Sequence, residues 1–289
     1  MVLFFQLLSR LPLGLVHTIG ALLGWLTYLG SPTYRRNLKA NMAQAGIDPG
    51  LRSAVIAESG KQAVEVARIW LRSLQEAVAL VVDVEGLEHV QAAQNAGKGV
   101  IYLTPHLGCF EITGQYLSTL DELTALYRPP RHESMRRMIE IGRRRPRLHL
   151  APADLSGVRC LVKALKKGQA ICLLPDQAPQ MGEGVWLDFF GRPAYTMTLA
   201  ARLTETGATP IVMWGERLPG GRGFKLHFRP PLREITGDTV ARTRQINQEI
   251  EALIRQKPEQ YLWGYNRYKR PAGVDAPPER DGGNVEGES

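Results

Sequence analysis

His106 and Glu111, five residues apart, are the first residues of this sequence that could do chemistry together. The apolar run 100–103 before them predicts a buried strand, which the Thr-Pro pair at 104–105 ends. Within one helix, side chains five residues apart would point roughly 140° away from each other. We therefore expect His106 in the turn after the strand and Glu111 in the first turns of the next helix. A carboxylate bonded to one ring nitrogen leaves the other as a general base.

The same spacing also occurs where it has a structural explanation. His149 and Asp154 are five residues apart, but Asp154 precedes an apolar periodic segment and is expected to cap that helix. By spacing alone, His106 is as typical of a structural histidine as of a catalytic one. Its place after a strand favours chemistry, because open α/β sheets build their sites at the carboxyl ends of their strands.

Length, cysteines and charge narrow the class of protein. The 289 residues allow one large or two small domains, and 44% apolar residues allow a substantial core. The three cysteines, Cys109, Cys160 and Cys172, have neither a disulfide pattern nor zinc-site spacing. A formal charge of +8 favours an anionic partner: nucleic acid, anionic lipid, a phosphorylated substrate or an acidic carrier protein.

Residues 11–29 carry no formal charge and would span about 28 Å as a helix, enough for a bilayer core. Positive residues follow at Arg35, Arg36 and Lys39, and such flanks stay on the cytoplasmic side. A signal peptide fits poorly, since charge before the run and a small-residue cleavage site are not evident. A buried helix with a glycine face is the other alternative. The pattern favours membrane attachment and leaves open whether the segment spans the bilayer or lies along it.

Strands and helices alternate through most of the chain. The expected strands are 78–84, 100–103, 123–127, 149–151, 170–174, 210–214 and 224–228. Helices are expected between them, with others at 34–45, 51–74 and 239–256, and residues 175–193 are expected to form a loop. This order predicts an α/β fold with a mostly parallel central sheet flanked by helices. We expect a membrane-associated helix at 1–30, a main domain at 31–270 and a disordered tail at 271–289.

Three further clusters follow predicted strands. Arg128 and the arginines at 143–145 and 147 could bind an anion or form a solvated basic face. Asp176 and Gln177 could cap a turn, orient a substrate or brace the histidine pair. The aromatic residues of the 182–195 loop are typical of a core and could equally line a slot for an acyl chain.

These pieces together resemble the late (secondary) lipid A biosynthesis acyltransferases of Gram-negative bacteria, related to the wider lysophospholipid-acyltransferase-like group. The landmarks, from residue 1 to about 271, include Thr104-Pro-His106-Leu-Gly-Cys-Phe-Glu111, Tyr127-Arg128-Pro129, Gly142-Arg143, Pro175-Asp176-Gln177, Phe189-Phe190-Gly191 and Pro258-Glu-Gln-Tyr-Leu-Trp263. No nucleophile elbow, Walker loop or His-Glu-x-x-His motif competes with this reading. The chain departs from the family pattern at Ala178, where an acid is frequent, and at 265–267, where a His-Arg-Arg run is frequent.

The resemblance implies transfer of a fatty acyl group from acyl carrier protein to a hydroxyl of a lipid A precursor. It places His106 and Glu111 as the catalytic pair and Arg143 and Asp176 in supporting positions. Arg128 and Gln177 are the other expected substrate-binding residues. The implied location is the cytoplasmic face of the inner membrane, with no metal, organic cofactor or nucleic acid expected. Acyltransferases that modify other glycolipids or amino-acid lipids share the histidine–acid core, so the acceptor has these alternatives.

The residues are consistent with a direct transfer. Glu111 would orient His106, which takes the hydroxyl proton while the oxygen attacks the thioester carbonyl. Backbone N–H groups near Gly108 and the helix start, or an arginine, would stabilise the oxyanion. Cys109 is the one tempting nucleophile, although its position equally suits packing. The rival hypotheses are a hydrolase and a non-catalytic membrane protein that binds anionic lipid or nucleic acid through its arginines, with His106 structural.

Overall fold

The computed structural model describes residues 2–129 and 133–278. The helices are α1 Val2–Arg10, α2 Leu13–Gly30, α3 Pro32–Gln44, α4 Arg52–Trp70, α5 Leu74–Val78, α6 Leu87–Asn95, α7 Phe110–Leu120, α8 Glu133–Arg143, α9 Leu155–Lys166, α10 Leu199–Thr204 and α11 Thr239–Gln256. The strands are β1 Val81–Glu85, β2 Val100–Leu103, β3 Leu123–Tyr127, β4 Leu148–Pro152, β5 Ala170–Leu173, β6 Gly184–Phe189, β7 Arg192–Met197, β8 Thr209–Arg217 and β9 Phe224–Arg229.

Seven of these strands form one twisted sheet in the order β1-β9-β8-β2-β5-β3-β4. Strands β8, β2, β5, β3 and β4 run parallel, while β9 is antiparallel to β8 and β1 follows the direction of β9. The predicted mostly parallel sheet flanked by helices is therefore confirmed. Every residue of β2 and β5 is buried, as expected for central strands with helices on both faces.

The region expected as a loop at 175–193 contains a hairpin, so that expectation was wrong there. Strands β6 and β7 pair antiparallel around the two-residue turn Phe190-Gly191, whose φ angles are 48° and 70°. Two successive positive φ angles match the twist that a tight hairpin turn needs. Pro193 lies in β7, and a proline inside a strand argues against a strand in sequence-based prediction.

The helix predicted at 51–74 is divided into α4 and α5. The break falls at residues 71–73, where Ser73 begins α5. Its side chain accepts a bond from the Glu76 N–H while the Glu76 carboxylate accepts from the Ser73 N–H. This capping box supplies a new helix start inside an otherwise helical pattern.

Helix α2 is long and apolar enough to cross a membrane, judged by length and composition only. In the structure it lies antiparallel against α4, with Gly20 and Gly24 at the contact. At the other end of the chain, residues 271–278 have no regular secondary structure. The remainder of the tail predicted to be disordered, residues 279–289, lies outside the described residues.

Candidate active site

The carboxyl edge of the sheet brings together side chains that are far apart in the chain. His106 follows β2, Asp176 and Gln177 follow the neighbouring strand β5, and Arg128 follows β3 beyond it. Parallel strands end at the same edge, so residues just after them become neighbours. The structure thus joins the first histidine candidate to the Asp-Gln pair some 70 residues later.

The loop that carries His106 is held against its surroundings by backbone bonds. The Gly108 N–H donates to Gln260 O at 3.0 Å, and the Cys109 N–H donates to Gly215 O of β8 at 2.7 Å. Gly108 has a φ of 57°, and a β-carbon there would lie 2.0 Å from the Gly215 carbonyl oxygen. Only glycine permits both this backbone conformation and this close approach. The loop therefore presents His106 from a fixed backbone.

Asp176 holds the histidine through both of its carboxylate oxygens. Oδ1 lies 2.8 Å from His106 Nδ1, and Oδ2 accepts the His106 backbone N–H at 3.0 Å. Since an ionised carboxylate only accepts hydrogen bonds, Nδ1 carries the proton and Nε2 is left with its lone pair. One carboxylate thus sets both the tautomer and the orientation of the ring.

Asp176 is ionised although it is buried. Burial by itself would raise the pKa of this carboxyl, but the charge and hydrogen bonds of His106 outweigh burial and hold the pKa below its ordinary value. Arg267 adds a smaller effect of the same sign. Asp176 also contacts the Tyr261 hydroxyl by a hydrogen bond, and burial raises the pKa of that phenol well above its ordinary value. Tyr261 therefore remains protonated.

The other ring nitrogen of His106 faces Gln177. The Gln177 amide nitrogen lies 3.2 Å from His106 Nε2, as expected for an amide that donates to the lone pair. The imidazole side chain keeps 18% of its surface exposed, whereas Asp176 is only 2% exposed. A small polar group from solvent or substrate can therefore reach Nε2 once the Gln177 amide turns away.

Glu111 does not orient His106, so this expectation was wrong. Its carboxylate accepts the Trp70 indole N–H at 2.9 Å and is bound by the Arg143 guanidinium through both oxygens. Glu111 lies in the first turn of α7, with its side chain directed to α4 and α8. The ring nitrogen assigned to it is taken by Asp176.

Arg143 binds a carboxylate of the protein. Burial by itself would lower the pKa of this guanidinium, but the Glu111 charge outweighs it and raises the pKa above the ordinary value. The guanidinium carbon also lies 5.9 Å from the centre of the Trp70 ring and 5.6 Å from that of Tyr127. Contact between Arg143 and a substrate stays a prediction.

The arginines after α8 do not form one anion-binding cluster. Arg145 donates to the Gln115 side chain and to two backbone carbonyls, and Arg147 donates to the carbonyls of Thr119 and Leu120. Arg128 remains more than half exposed, with its guanidinium 3.7 Å from Glu183. Arg144 is exposed as well, and Arg128 is the exposed arginine that directly follows a strand of the sheet. Asp154 caps α9 as predicted, and His149 pairs with Glu122 at the surface.

The backbone N–H groups expected to stabilise an oxyanion near Gly108 are occupied. Those of residues 106–109 donate to Asp176, Pro105, Gln260 and Gly215. The expectation was therefore wrong for this loop.

Cys109 is buried at 2% exposure, and burial, followed by the Glu65 charge, raises the pKa of its thiol well above the ordinary value. A protonated, buried thiol is a poor nucleophile.

The aromatic residues of the hairpin belong mainly to the core. Phe189 and Phe190 are buried, and Phe190 packs against Trp263 with ring centres 5.9 Å apart. Trp186 is half-buried and donates its indole N–H to Asp275 O at 3.1 Å. Core packing thus explains the two phenylalanines, and Trp186 is the aromatic residue that retains accessible surface.

Several residues around the site were not expected from the sequence. Gln62 of α4 donates to Gly108 O at 3.0 Å, and Trp70 contacts Glu111. Arg267 donates to Tyr195 O at 2.7 Å and to the Thr196 hydroxyl at 2.8 Å, next to Asp176. The sequence contained a hint of only one of these residues: Arg267 lies in segment 265–267, where the chain departs from the His-Arg-Arg pattern of the family. The two departures from the family pattern meet, since the Ala178 N–H donates to the Tyr265 hydroxyl at 3.1 Å.

The fold and the site define a class: an α/β protein with a carboxylate-held histidine at the carboxyl edge of its sheet. Within the described ranges, no group of three or more His, Cys, Asp or Glu side chains is arranged to hold a metal ion. A family model described as bacterial lipid A biosynthesis acyltransferase matches residues 1–270. The chain therefore belongs to this family and is an acyltransferase.

Individual relatives act on more than one kind of lipid. The chain is 29% identical over 246 residues to the lipid A biosynthesis palmitoleoyltransferase of Escherichia coli (strain K12), which covers 83% of this chain and 79% of that protein. It is 28% identical over 198 residues to the lauroyltransferase of the same organism, covering 66% and 63%. It is also 30% identical over 186 residues to the phosphatidylinositol mannoside acyltransferase of Mycobacterium tuberculosis (strain CDC 1551 / Oshkosh), covering 60% and 55%.

Proposed function

We propose that this protein transfers a fatty acyl chain from the thioester of acyl carrier protein to a hydroxyl of a lipid A precursor. The observation that carries the proposal is the His106 ring, whose Nδ1 lies 2.8 Å from Asp176 and whose Nε2 is the remaining basic nitrogen. Family membership and the net charge of +8 support an acidic carrier and a phosphorylated acceptor.

His106 acts as the general base. Nε2 takes the acceptor hydroxyl proton while that oxygen attacks the thioester carbonyl carbon, forming a tetrahedral intermediate. Collapse of the intermediate breaks the carbon–sulfur bond, and the imidazolium returns the proton to the departing thiolate. Asp176 stabilises the imidazolium between these two steps, as the carboxylate of a catalytic triad does.

Gln177 binds the acceptor side of the reaction. Its amide occupies the position next to Nε2 that the hydroxyl must take, at 3.2 Å. When the hydroxyl arrives, the amide turns from the ring and donates to the acceptor instead. This exchange keeps the Nε2 lone pair hydrogen-bonded before substrate binds.

The transfer proceeds without an acyl-enzyme. The buried Cys109, whose pKa is raised by burial, supports this conclusion, since its thiol stays protonated at neutral pH. The carrier thioester and the acceptor hydroxyl therefore meet in one ternary complex. The oxyanion is stabilised by the Phe110 and Glu111 N–H groups at the start of α7, whereas the Ile112 N–H already donates to Cys109 O.

Glu111 and Arg143 position the site. Their bidentate pair joins the start of α7 to the end of α8, and the Trp70 bond adds the end of α4. Glu111 is therefore a positioning residue, which acts by holding the ends of these three helices together. Arg128, which is exposed, contacts a phosphate of the acceptor. The catalytic domain faces the cytoplasm at the inner membrane.

The test is an assay with acyl carrier protein loaded with a labelled fatty acid and a lipid A precursor as acceptor. An acylated precursor is expected, with free carrier as the other product. Release of free fatty acid alone would indicate a hydrolase, and absence of turnover would indicate a binding protein. Mass spectrometry of lipid A from cells with and without the protein gives the position of the added chain.

A second acceptor class is favoured by one specific observation. The similarity to phosphatidylinositol mannoside acyltransferases, at 30% and 28% identity, connects this chain to enzymes named for another glycolipid. A panel that offers both acceptors under the same conditions separates the two activities. The His106 mechanism is the same for either hydroxyl.

A further inference from the structure

A buried ionic cluster fastens helix α2 to the body of the protein. His17 Nε2 lies 3.1 Å from Glu65 Oε2 on α4. The Arg217 guanidinium at the end of β8 binds the same carboxylate through two nitrogens, at 2.6 and 2.5 Å. All three side chains are at most 6% exposed. The helix expected to be a membrane anchor thus carries a polar residue that belongs to the protein interior.

Close backbone packing along α4 extends this attachment. A β-carbon on Gly24 would lie 2.2 Å from Ile56 O, and one on Gly60 would lie 1.9 Å from Gly20 O. Helix α1 reaches the same neighbour, since Arg68 of α4 donates to Ser9 O at 2.8 Å. Both helices therefore lie on one side of α4.

This packing is incompatible with α2 crossing a bilayer. A lipid-surrounded α2 would need to leave α4, exposing His17 to hydrocarbon and leaving Glu65 with one partner fewer. If α4 instead entered the bilayer with it, charged residues such as Glu58, Lys61 and Arg68 would follow. Both alternatives place polar groups in the lipid core at a large cost.

The outer face of the two helices is apolar, and none of the described residues 2–129 and 133–278 covers it. Its large exposed side chains are Leu3, Phe4, Leu7, Leu15, Leu22, Trp25, Leu26 and Leu29. On α2 they recur with helical spacing opposite the buried stripe, and Leu22, Leu26 and Leu29 are 62–65% exposed. Such a face is typical of a helix that lies in the membrane interface.

The positive charge of the N-terminal segment favours an anionic membrane as the partner of this face. Residues 1–47 contain no aspartate or glutamate, and they contribute +4 of the chain's formal net charge of +8. Their Lys and Arg residues are Arg10, Arg35, Arg36 and Lys39. Near the end of α2, Trp25 packs edge-on against Tyr28 with ring centres 5.9 Å apart. Aromatic and basic side chains around an apolar stripe match the headgroup region of an anionic bilayer.

We propose that α1 and α2 form a docking surface that lies in the plane of an anionic membrane and does not cross it. The outer face enters the headgroup boundary, while the His17–Glu65–Arg217 cluster holds the inner face on α4. Through Gln62 and Trp70, α4 also contacts the His106 loop and Glu111. The proposal concerns membrane attachment and does not depend on the acyl acceptor.

Vesicle flotation of the purified full chain tests the surface. Wild type should float with phosphatidylcholine vesicles that contain phosphatidylglycerol and much less with pure phosphatidylcholine. The Leu22→Glu/Leu26→Glu variant should lose more than about tenfold in vesicle binding, since charges at these positions must enter the interface. The matched control is Leu232→Glu, also an exposed leucine at 67%, which should float like wild type. Unchanged flotation of the double variant, or a change in oligomeric state alone, would overturn the proposal.

Cysteine labelling in cells distinguishes docking from spanning. Cys160 is exposed on the main domain, and Cys109 and Cys172 are buried. Gln6→Cys in a Cys160→Ser chain places a single reactive thiol on α1, and the native chain with Cys160 is the control. In-plane docking requires both thiols to react with an impermeant maleimide from the same side of the membrane. Labelling from opposite sides would show that α2 spans. Neither result depends on whether acyl transfer is detected.

Discussion

Two histidine–carboxylate pairs with buried carboxylates have similar geometry in this protein and different surroundings. His106 Nδ1 lies 2.8 Å from Asp176, and His17 Nε2 lies 3.1 Å from Glu65. In both pairs the carboxylate is nearly inaccessible to solvent. A histidine–carboxylate bond by itself therefore does not identify an acid–base site.

The two pairs differ first in the other groups that bind the carboxylate. Glu65 is bound by the fork of Arg217, which also binds Glu58, and by His17, so a permanent positive charge already stabilises it. Asp176 accepts from the ring and backbone of His106, whereas the nearby Arg267 donates to Tyr195 and Thr196. The Asp176 charge thus remains available to stabilise an imidazolium.

Access to the ring makes the second difference. The His17 side chain is 6% exposed and lies between helices, whereas that of His106 is 18% exposed at the carboxyl edge of the sheet. Only the second position lets a substrate hydroxyl approach a ring nitrogen. The first pair joins two packed helices, and the second has the access to solvent that the proposed proton transfer needs.

Removal of the two histidines should therefore affect different properties, and this is the largest effect that we expect. His106→Ala should lower the rate of acyl transfer of the folded protein by about 10²–10⁴-fold, more than any change in stability explains, because the proposed general base is lost. His17→Ala should lower the melting temperature while keeping most of the specific activity of the folded fraction. Steady-state assays and thermal unfolding of both variants give the comparison.

His149→Ala is the control for His106→Ala. His149 also pairs with a carboxylate, Glu122, but its side chain is 56% exposed. We expect activity and stability close to wild type. Retention of most activity in His106→Ala would contradict the mechanism.

Substitution of Asp176 and of Glu111, the two carboxylates near His106, should lower kcat to different extents. Asp176→Asn removes the charge that holds the tautomer, and we expect a loss in kcat of about 10²–10⁴-fold. Glu111→Gln keeps a polar partner for Trp70 and Arg143, so the loss should be clearly smaller. Kinetics of both variants with intact folding check this order, and the reverse order would return the orienting role to Glu111.

Glu65 should contribute mainly to stability, with a defined pH dependence. Burial by itself would raise the pKa of this carboxyl, but Arg217 and His17 lower it from 4.5 to about 2. A lowered pKa means that the charged form stabilises the folded state above about pH 4.5 and that this contribution is lost as the pH falls towards 2. The difference corresponds to about 3 kcal/mol.

Glu65→Gln should therefore lower the free energy of unfolding at neutral pH by about 3 kcal/mol, because the buried Arg217 loses one of its two carboxylate partners and keeps only Glu58. Its stability should also fall less steeply than that of wild type between about pH 4.5 and 2. Urea unfolding at several pH values measures both effects. Equal pH slopes for wild type and variant would show that Glu65 does not supply this dependence.

The meeting of the candidate site residues could be predicted from the sequence, because His106, Asp176 and Gln177 each follow a predicted parallel strand. The choice of partner could not. Glu111 is close in sequence, but its helix directs it to Arg143, while adjacency of β2 and β5 brings Asp176 to the ring. Sequence separation contains no information about which strands become neighbours.

The residues that support the site could not be predicted from sequence patterns either. Tyr261 and Arg267 reach Asp176 from an irregular segment, and the hairpin that carries Tyr195 contains a proline that argues against a strand. The glycines of α2 were correctly interpreted as a small-residue face, as one alternative. What the pattern could not show is that this face meets Gly60 of α4 and that His17 meets a carboxylate beside it.

Gln177 should give the smallest effect, and two substitutions together distinguish its roles. Gln177→Ala removes one neutral hydrogen bond to the acceptor, so kcat/KM for the acceptor should fall by no more than about tenfold. Gln177→Glu places a carboxylate where the amide lies 3.2 Å from Nε2, which favours the imidazolium and removes the base at neutral pH. Its activity should be lower than that of Gln177→Ala and should recover as the pH rises, because the imidazolium then loses its proton. A pH–rate profile of kcat/KM for the three proteins measures this shift. Unchanged acceptor kinetics in both variants would show that Gln177 lies outside the path of the hydroxyl, and the access that distinguishes His106 from His17 would then come from another side of the ring.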